Sequence, residues 1–237
     1  MTSKTLKLWN KKRISAVKKM KTTITAHAGS EGTAPNSISS VVSGFESGAE
    51  IGEVDVRFMN DGTPVLNHDS LDENADYDLL SEVLMIMNDY PDKQLNIDIK
   101  ETSHIDNIVS LSKKYGVYDR IFFTGVWKSF VPQTKLQSAG VKYYLNYSTS
   151  GLFKYSDIYI DKLIKDTQLS GGVGINFNKK SCSKKLVKKF HSKGLLVSVW
   201  TVSNPDEIEK YLKLGVDNIT CKCPVKAVKI RDMFYNK

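Results

Sequence analysis

Four residues of one short hairpin, Glu53, Asp55, His68 and Asp69, are of types that could do chemistry together. They lie in GEVDVRFMNDGTPVLNHD, residues 52 to 69, where Asn60, Asp61 and Gly62 form a turn that folds the chain back and brings His68 over the end of the preceding strand. The two-residue period of a strand puts Glu53, Asp55 and Arg57 on one face and Val54, Val56 and Phe58 on the other. In QLNIDIK, residues 94 to 100, the same period sets Asp98 and Lys100 opposite Ile97 and Ile99. Three carboxylates converging without enough cations need compensation, because like charges in a partly dry site cannot all stay ionised cheaply. One divalent cation supplies it, and oxygen-only ligation by Glu53, Asp55 and Asp98 suits Mg²⁺ or Ca²⁺ rather than zinc. Beside Lys100, such an ion would neutralise a phosphate and stabilise charge developing on its oxygens. His27 and His68 add two groups that titrate near neutrality. One could take a proton from an attacking hydroxyl while the other gives one to a leaving oxygen. The set reads as phosphodiester cleavage.

Elements must exist to hold these groups in one place. Apolar strand-like runs occur at 22–27, 52–58, 94–100, 120–125, 141–147, 172–177, 195–202 and 216–220, with helix-period segments between them, several ending in Gly. Alternating strands and helices imply parallel βαβ units, and eight of them in 237 residues predict an α/β fold, a single-domain (β/α)₈ TIM barrel. In such barrels reactive groups sit at the carboxyl ends of the strands, where His27, Glu53, Asp55 and Asp98 fall. His104 and His191 lie in or beside Lys-rich helical segments and are assigned to the surface.

Composition narrows the alternatives. No apolar run approaches the length of a membrane span. The formal charge is +8, but residues 1–21 hold eight Lys or Arg and no acid, and the remainder, 22–237, is balanced. The basicity therefore belongs to a short N-terminal arm, which lacks the apolar core and cleavage site of a secretory signal. One reading lays this arm on an anionic membrane as a peripheral contact; the other leaves it solvated or packed on the barrel. Cys182, Cys221 and Cys223 are an odd count without a zinc-like partner set, which predicts free thiols, a structural role and a cytoplasmic setting. Nucleic acid is not an expected partner, since only Trp9 interleaves the basic arm and no recognition motif is present. Glycoside hydrolysis would use paired carboxylates but leave two histidines unexplained.

From about Thr22 to Pro224 the chain resembles the glycerophosphodiester phosphodiesterase family, within the phosphatidylinositol-phosphodiesterase-like barrel superfamily. The motifs that carry the resemblance are HAG at 27–29, APNS at 34–37, GAE at 48–50, EVD at 53–55, DGTPV at 61–65, HD at 68–69, DIK at 98–100, VWTVSNP at 199–205 and GVDNIT at 215–220. The resemblance implies His27 and His68 as general acid and base, Glu53, Asp55 and Asp98 as ligands of one divalent cation, and Lys100 and Trp200 as substrate-binding residues. It also implies a small phosphodiester substrate, with a glycerol hydroxyl attacking phosphorus, the alcohol leaving and water opening a cyclic phosphate. Asp69 is expected to fix the turn. The chain departs from the family pattern where Ala28 replaces a phosphate-binding arginine, where a glutamate is missing between Pro35 and Asn36, and where Asp98 stands for a glutamate. Only 28 residues separate Asp69 from Asp98, so most of the family's small insertion domain is absent. Two further readings stay open here: a phospholipase acting at a lipid surface, similar to the sphingomyelinase-D-like branch, and a non-catalytic barrel that retains a ligand site.

Overall fold

Val54, Val56 and Phe58 are buried against an outer layer of helices while Glu53 and Asp55 face the barrel interior, so one strand already separates core from chemistry. The computed structural model describes residues 21–72, 74–148 and 156–236; residues 1–20 of the basic arm lie outside them. The strands are β1 (Thr23–Ala26), β2 (Ile51–Phe58), β3 (Pro64–Leu66), β4 (Gln94–Ile99), β5 (Ile121–Val126), β6 (Tyr143–Tyr147), β7 (Gly174–Asn178), β8 (Leu196–Val202) and β9 (Asn218–Cys221). The helices are α1 (Ile38–Glu46), α2 (Leu80–Ile86), α3 (Ile105–Lys114), α4 (Val131–Gln137), α5 (Asp157–Ser170), α6 (Lys184–His191), α7 (Ile208–Leu214) and α8 (Pro224–Tyr235).

All strands except β3 pair in parallel in the order β1-β9-β8-β7-β6-β5-β4-β2, and β1 pairs with β2 to close the ring. This is the (β/α)₈ barrel that the alternation predicts. β3 lies outside the ring as an antiparallel partner of β2, with Val56 opposite Leu66 and Arg57 opposite Val65. The turn between them needs Gly62, whose φ is 84° and whose missing side chain leaves room for Asn107 and His104. α8 is an element the sequence reading lacks. His104 packs edge-on against Phe58, with ring centroids 5.7 Å apart, rather than lying free on the surface, while His191 is exposed and contacts Asp217.

The β1–β2 seam is short, with two residue pairs, Thr25–Ile51 and Ala26–Gly52. A latch at the opposite end from the site reinforces it. The buried Arg231 of α8 donates to both oxygens of Glu50, at 2.6 and 2.5 Å, and Glu50 also accepts the Ile24 amide at 2.9 Å. The Thr22 amide donates to the hydroxyl of Tyr235 nearby. Among the described residues no helix is long and apolar enough to cross a membrane.

Candidate active site

Glu53 and Asp98 belong to β2 and β4, which pair with Glu53 opposite Asn96 and Asp55 opposite Asp98. That register sets Asp55 beside Asp98 with Glu53 one layer deeper, and one oxygen from each of the three lies within 4.8 Å of the others. Glu53 and Asp55 are almost fully buried. Burial first, then the charges of Asp55 and Asp98, push the Glu53 carboxyl well above its ordinary range. Such a crowded set of hard oxygen donors fits one divalent cation, which would relieve both burial and repulsion.

Each carboxylate is held by a neighbour. The Ala28 amide donates to Glu53 Oε2 at 2.8 Å. Asn36 clasps Asp55: its Nδ2 donates to Asp55 Oδ2 at 2.9 Å, and its Oδ1 accepts the Asp55 amide at 2.9 Å. Asn36 sits at φ 54°, a left-handed conformation that asparagine tolerates better than most residues. The Thr124 hydroxyl donates to Asp98 Oδ1 at 2.7 Å. Lys100 bridges the cluster, donating to Asp55 Oδ1 at 2.7 Å and also to Asp98. Burial alone would lower the Lys100 ammonium, but Asp98 and Asp55 more than offset it and hold it above its usual value.

The two histidines flank the same cleft, of about 370 Å³. His27 follows β1 directly, and its Nδ1 lies 2.7 Å from the Ala28 carbonyl, which can only accept; Nδ1–H is therefore the donor and Nε2 carries the lone pair. Burial holds the His27 imidazole below its ordinary value, against the opposing pull of the Ala28 carbonyl and Asp55. His68 follows β3 and is largely exposed, with Nδ1 2.8 Å from Asp69 Oδ1. The bond from His68 lowers the Asp69 carboxyl. Asp69 thus touches the imidazole itself, beyond fixing the turn. Trp200, on β8, lines the cleft, and its indole Nε1 is buried without an acceptor among the described residues.

Several residues escape a reading of the sequence. Asn96, Asn146 and Asn176 form a polar floor under the cluster: Asn176 Nδ2 donates to Asn146 Oδ1 at 3.1 Å, and the Gly125 amide donates to the same oxygen at 3.0 Å. The Asn176 Oδ1 atom is buried without a donor among the described residues. Gly125, at φ 72° where β5 shifts register against β6, has space for no side chain, since a Cβ there would lie 2.3 Å from the Ile99 carbonyl and 3.1 Å from Asp98 Oδ1. The one sequence signal for the floor is that Asn96 shares a strand face with Asp98.

Fold and site together define a barrel enzyme with an acidic cluster suited to one hard divalent cation. The sequence matches the glycerophosphoryl diester phosphodiesterase family over residues 74–224. The chain belongs to that family and is a phosphoric diester hydrolase. The matched span includes Asp98, Lys100 and Trp200, and begins beyond His27, Glu53, Asp55 and His68. Solved structures agree in fold. A phosphodiesterase from Oleispira antarctica, in complex with the product sn-glycerol-3-phosphate, superposes with a TM-score of 0.74 at 18% identity, covering 89% of this chain and 96% of that one. A glycerophosphodiester phosphodiesterase from Parabacteroides distasonis gives 0.69 at 21% identity, covering 91% and 98%. One from Agrobacterium tumefaciens gives 0.69 at 15%, covering 87% and 98%. No curated protein matches the sequence.

Proposed function

We propose that this chain is a metal-dependent hydrolase of a glycerophosphodiester, releasing glycerol phosphate and an alcohol, with His27 and His68 as its proton carriers. The observation that carries the reading is the convergence of Glu53, Asp55 and Asp98 within 4.8 Å in a cleft that both histidines line.

One divalent cation, Mg²⁺ or Ca²⁺, would be held by Glu53, Asp55 and Asp98 and would supply charge to polarise the phosphoryl oxygens. His27 is set up as the base. Its Nδ1–H is committed to the Ala28 carbonyl, burial favours the neutral ring, and Nε2 can accept the proton of the substrate's glycerol hydroxyl as that oxygen attacks phosphorus. His68 then gives a proton to the departing alcohol oxygen, its ring steadied at Nδ1 by Asp69. When water opens the resulting cyclic phosphate the roles reverse: His68 takes the water proton and His27 returns one to the glycerol oxygen. Lys100, on the same face as Asp98, is the ammonium nearest the phosphate, and the Trp200 ring walls the mouth.

The experiment is release of phosphorylated product from glycerophosphocholine with Mg²⁺, with Ca²⁺ and with chelator, in wild type and in the Glu53→Ala/Asp55→Ala double variant. Metal-dependent turnover that the double variant loses is the expected result. Turnover that survives chelator, or persists in the double variant, would overturn the reading.

A further inference from the structure

Cations at the cleft are few, and one is already committed. Of its lining residues, Lys100 and Arg57 alone carry a permanent positive charge, and the Lys100 ammonium is bonded to Asp55 and Asp98. A divalent ion and Lys100 together neutralise Glu53, Asp55 and Asp98, leaving nothing over for the negative charge of a phosphodiester. The residue after His27, where the family pattern has an arginine, is the buried Ala28. That position contributes only an amide, which is spent on Glu53.

Arg57 is placed to supply what is missing. It is on β2 two residues beyond Asp55 and on the same face, so its Cα lies about 7 Å farther toward the mouth. It is half-buried, and its Nε donates to the backbone carbonyl of His68 at 3.2 Å, which ties the guanidinium to the chain segment that carries the imidazole. Its Nη1 and Nη2 have no protein acceptor among the described residues. A guanidinium steadied at Nε, with its other N–H groups turned to a cleft, suits two oxygens of one phosphate.

Arg57 is also where two clefts meet. A second cleft, of about 260 Å³, is lined by Phe58, Met59, Asn60, Leu71 and Glu101 among others, and Arg57 is the one residue it shares with the main cleft. A phosphodiester has two arms on one phosphorus, so a substrate extending into both clefts carries its phosphate past Arg57.

The geometry points to Arg57 as the phosphate-binding arginine of this chain, a role transposed from the strand-end position after His27 to the third residue of the strand face that carries Glu53 and Asp55. The inference rests on the hydrolase reading above. Its test compares wild type with Arg57→Gln and Arg57→Lys, measuring kcat and KM on glycerophosphocholine with the metal present and, by calorimetry, the Kd of sn-glycerol 3-phosphate and of the metal alone. Arg57→Gln should raise KM and the product Kd about 10-fold or more with metal affinity unchanged, and Arg57→Lys should restore only part, since an ammonium cannot form the paired bonds. Unchanged product affinity in Arg57→Gln overturns the inference. If kcat alone falls, Arg57 merely holds the His68 segment, and that result overturns it too. A wild type that neither turns over nor binds the phosphate ester removes the hydrolase reading itself, and this inference with it.

Discussion

The backbone amide of Ala28 donates to the Oε2 atom of Glu53, so the residue that follows one imidazole is fastened to the innermost carboxylate of the acidic cluster. Because the bond crosses the β1–β2 seam, it couples the position of His27 to that of a candidate metal ligand. Replacing a group here tests charge and geometry separately.

Glu53→Gln keeps an acceptor for Ala28 and removes a buried carboxyl whose ionised form burial, Asp55 and Asp98 all disfavour. Without metal the variant should melt above wild type by about 2–4 °C, the shift that roughly 1 kcal/mol produces in a domain of this size. Its metal affinity and turnover should fall, turnover by about 100-fold. Scanning calorimetry with and without Mg²⁺ checks both halves, and a variant that binds metal as wild type does would remove Glu53 from the ligand set.

His27 gives stability a defined pH dependence. Burial holds its folded-state value below the ordinary 6.5, so between the two values the unfolded chain binds more protons than the folded one. This contribution is fully present above 6.5 and is lost as pH falls through the window beneath it. Urea midpoints from about pH 8 to 5 should drop less for His27→Gln than for wild type. The kcat/KM of the free enzyme should show an acid limb in the same window, where the base becomes protonated and cannot accept the hydroxyl proton.

Asn36 holds Asp55 by two bonds and does not itself line the cleft. Asn36→Ala should weaken the metal by about 10- to 100-fold, the usual effect of losing a residue that orients a ligand. Calorimetric titration reads this directly. Excess metal should recover most of the lost turnover, which a collapse of the fold would not allow.

Gly125→Ala puts a methyl group 2.3 Å from the Ile99 carbonyl at a φ of 72°. The expected cost is about 3 kcal/mol or more, because the obstacle is backbone and cannot swing aside. Equilibrium denaturation measures it. A loss below about 1 kcal/mol would mean that β5 can shift past β4 without strain.

The barrel was legible because strand and helix periods differ: Val54, Val56 and Phe58 against Glu53 and Asp55 leave no doubt about which face meets the helices. The convergence of Glu53, Asp55 and Asp98 followed from the same alternation once β2 and β4 were taken as neighbours. α8 was missed because Val225 to Tyr235 spreads its apolar residues around the helix and sets no stripe; Arg231 is buried while Met233 is exposed. The clasp by Asn36 and the floor of Asn96, Asn146 and Asn176 were missed for another reason. Each asparagine alone looks like an ordinary polar residue: the floor depends on register across strands about 30 to 50 residues apart, and Asn36 reaches Asp55 from a turn outside the strands.

The latch at the far end of the barrel joins Glu50 and Arg231, 181 positions apart in the chain. β1 emerges from the ribosome first, yet its strong pairing, four residue pairs, is with β9, and its seam with β2 is fastened through Glu50 by Arg231. The earliest of the reactive residues in the chain, His27, therefore follows a strand held in place by two of the latest elements, β9 and α8. A chain truncated before α8 would keep Glu53, Asp55 and Asp98 yet lose the latch that fastens the seam beside His27.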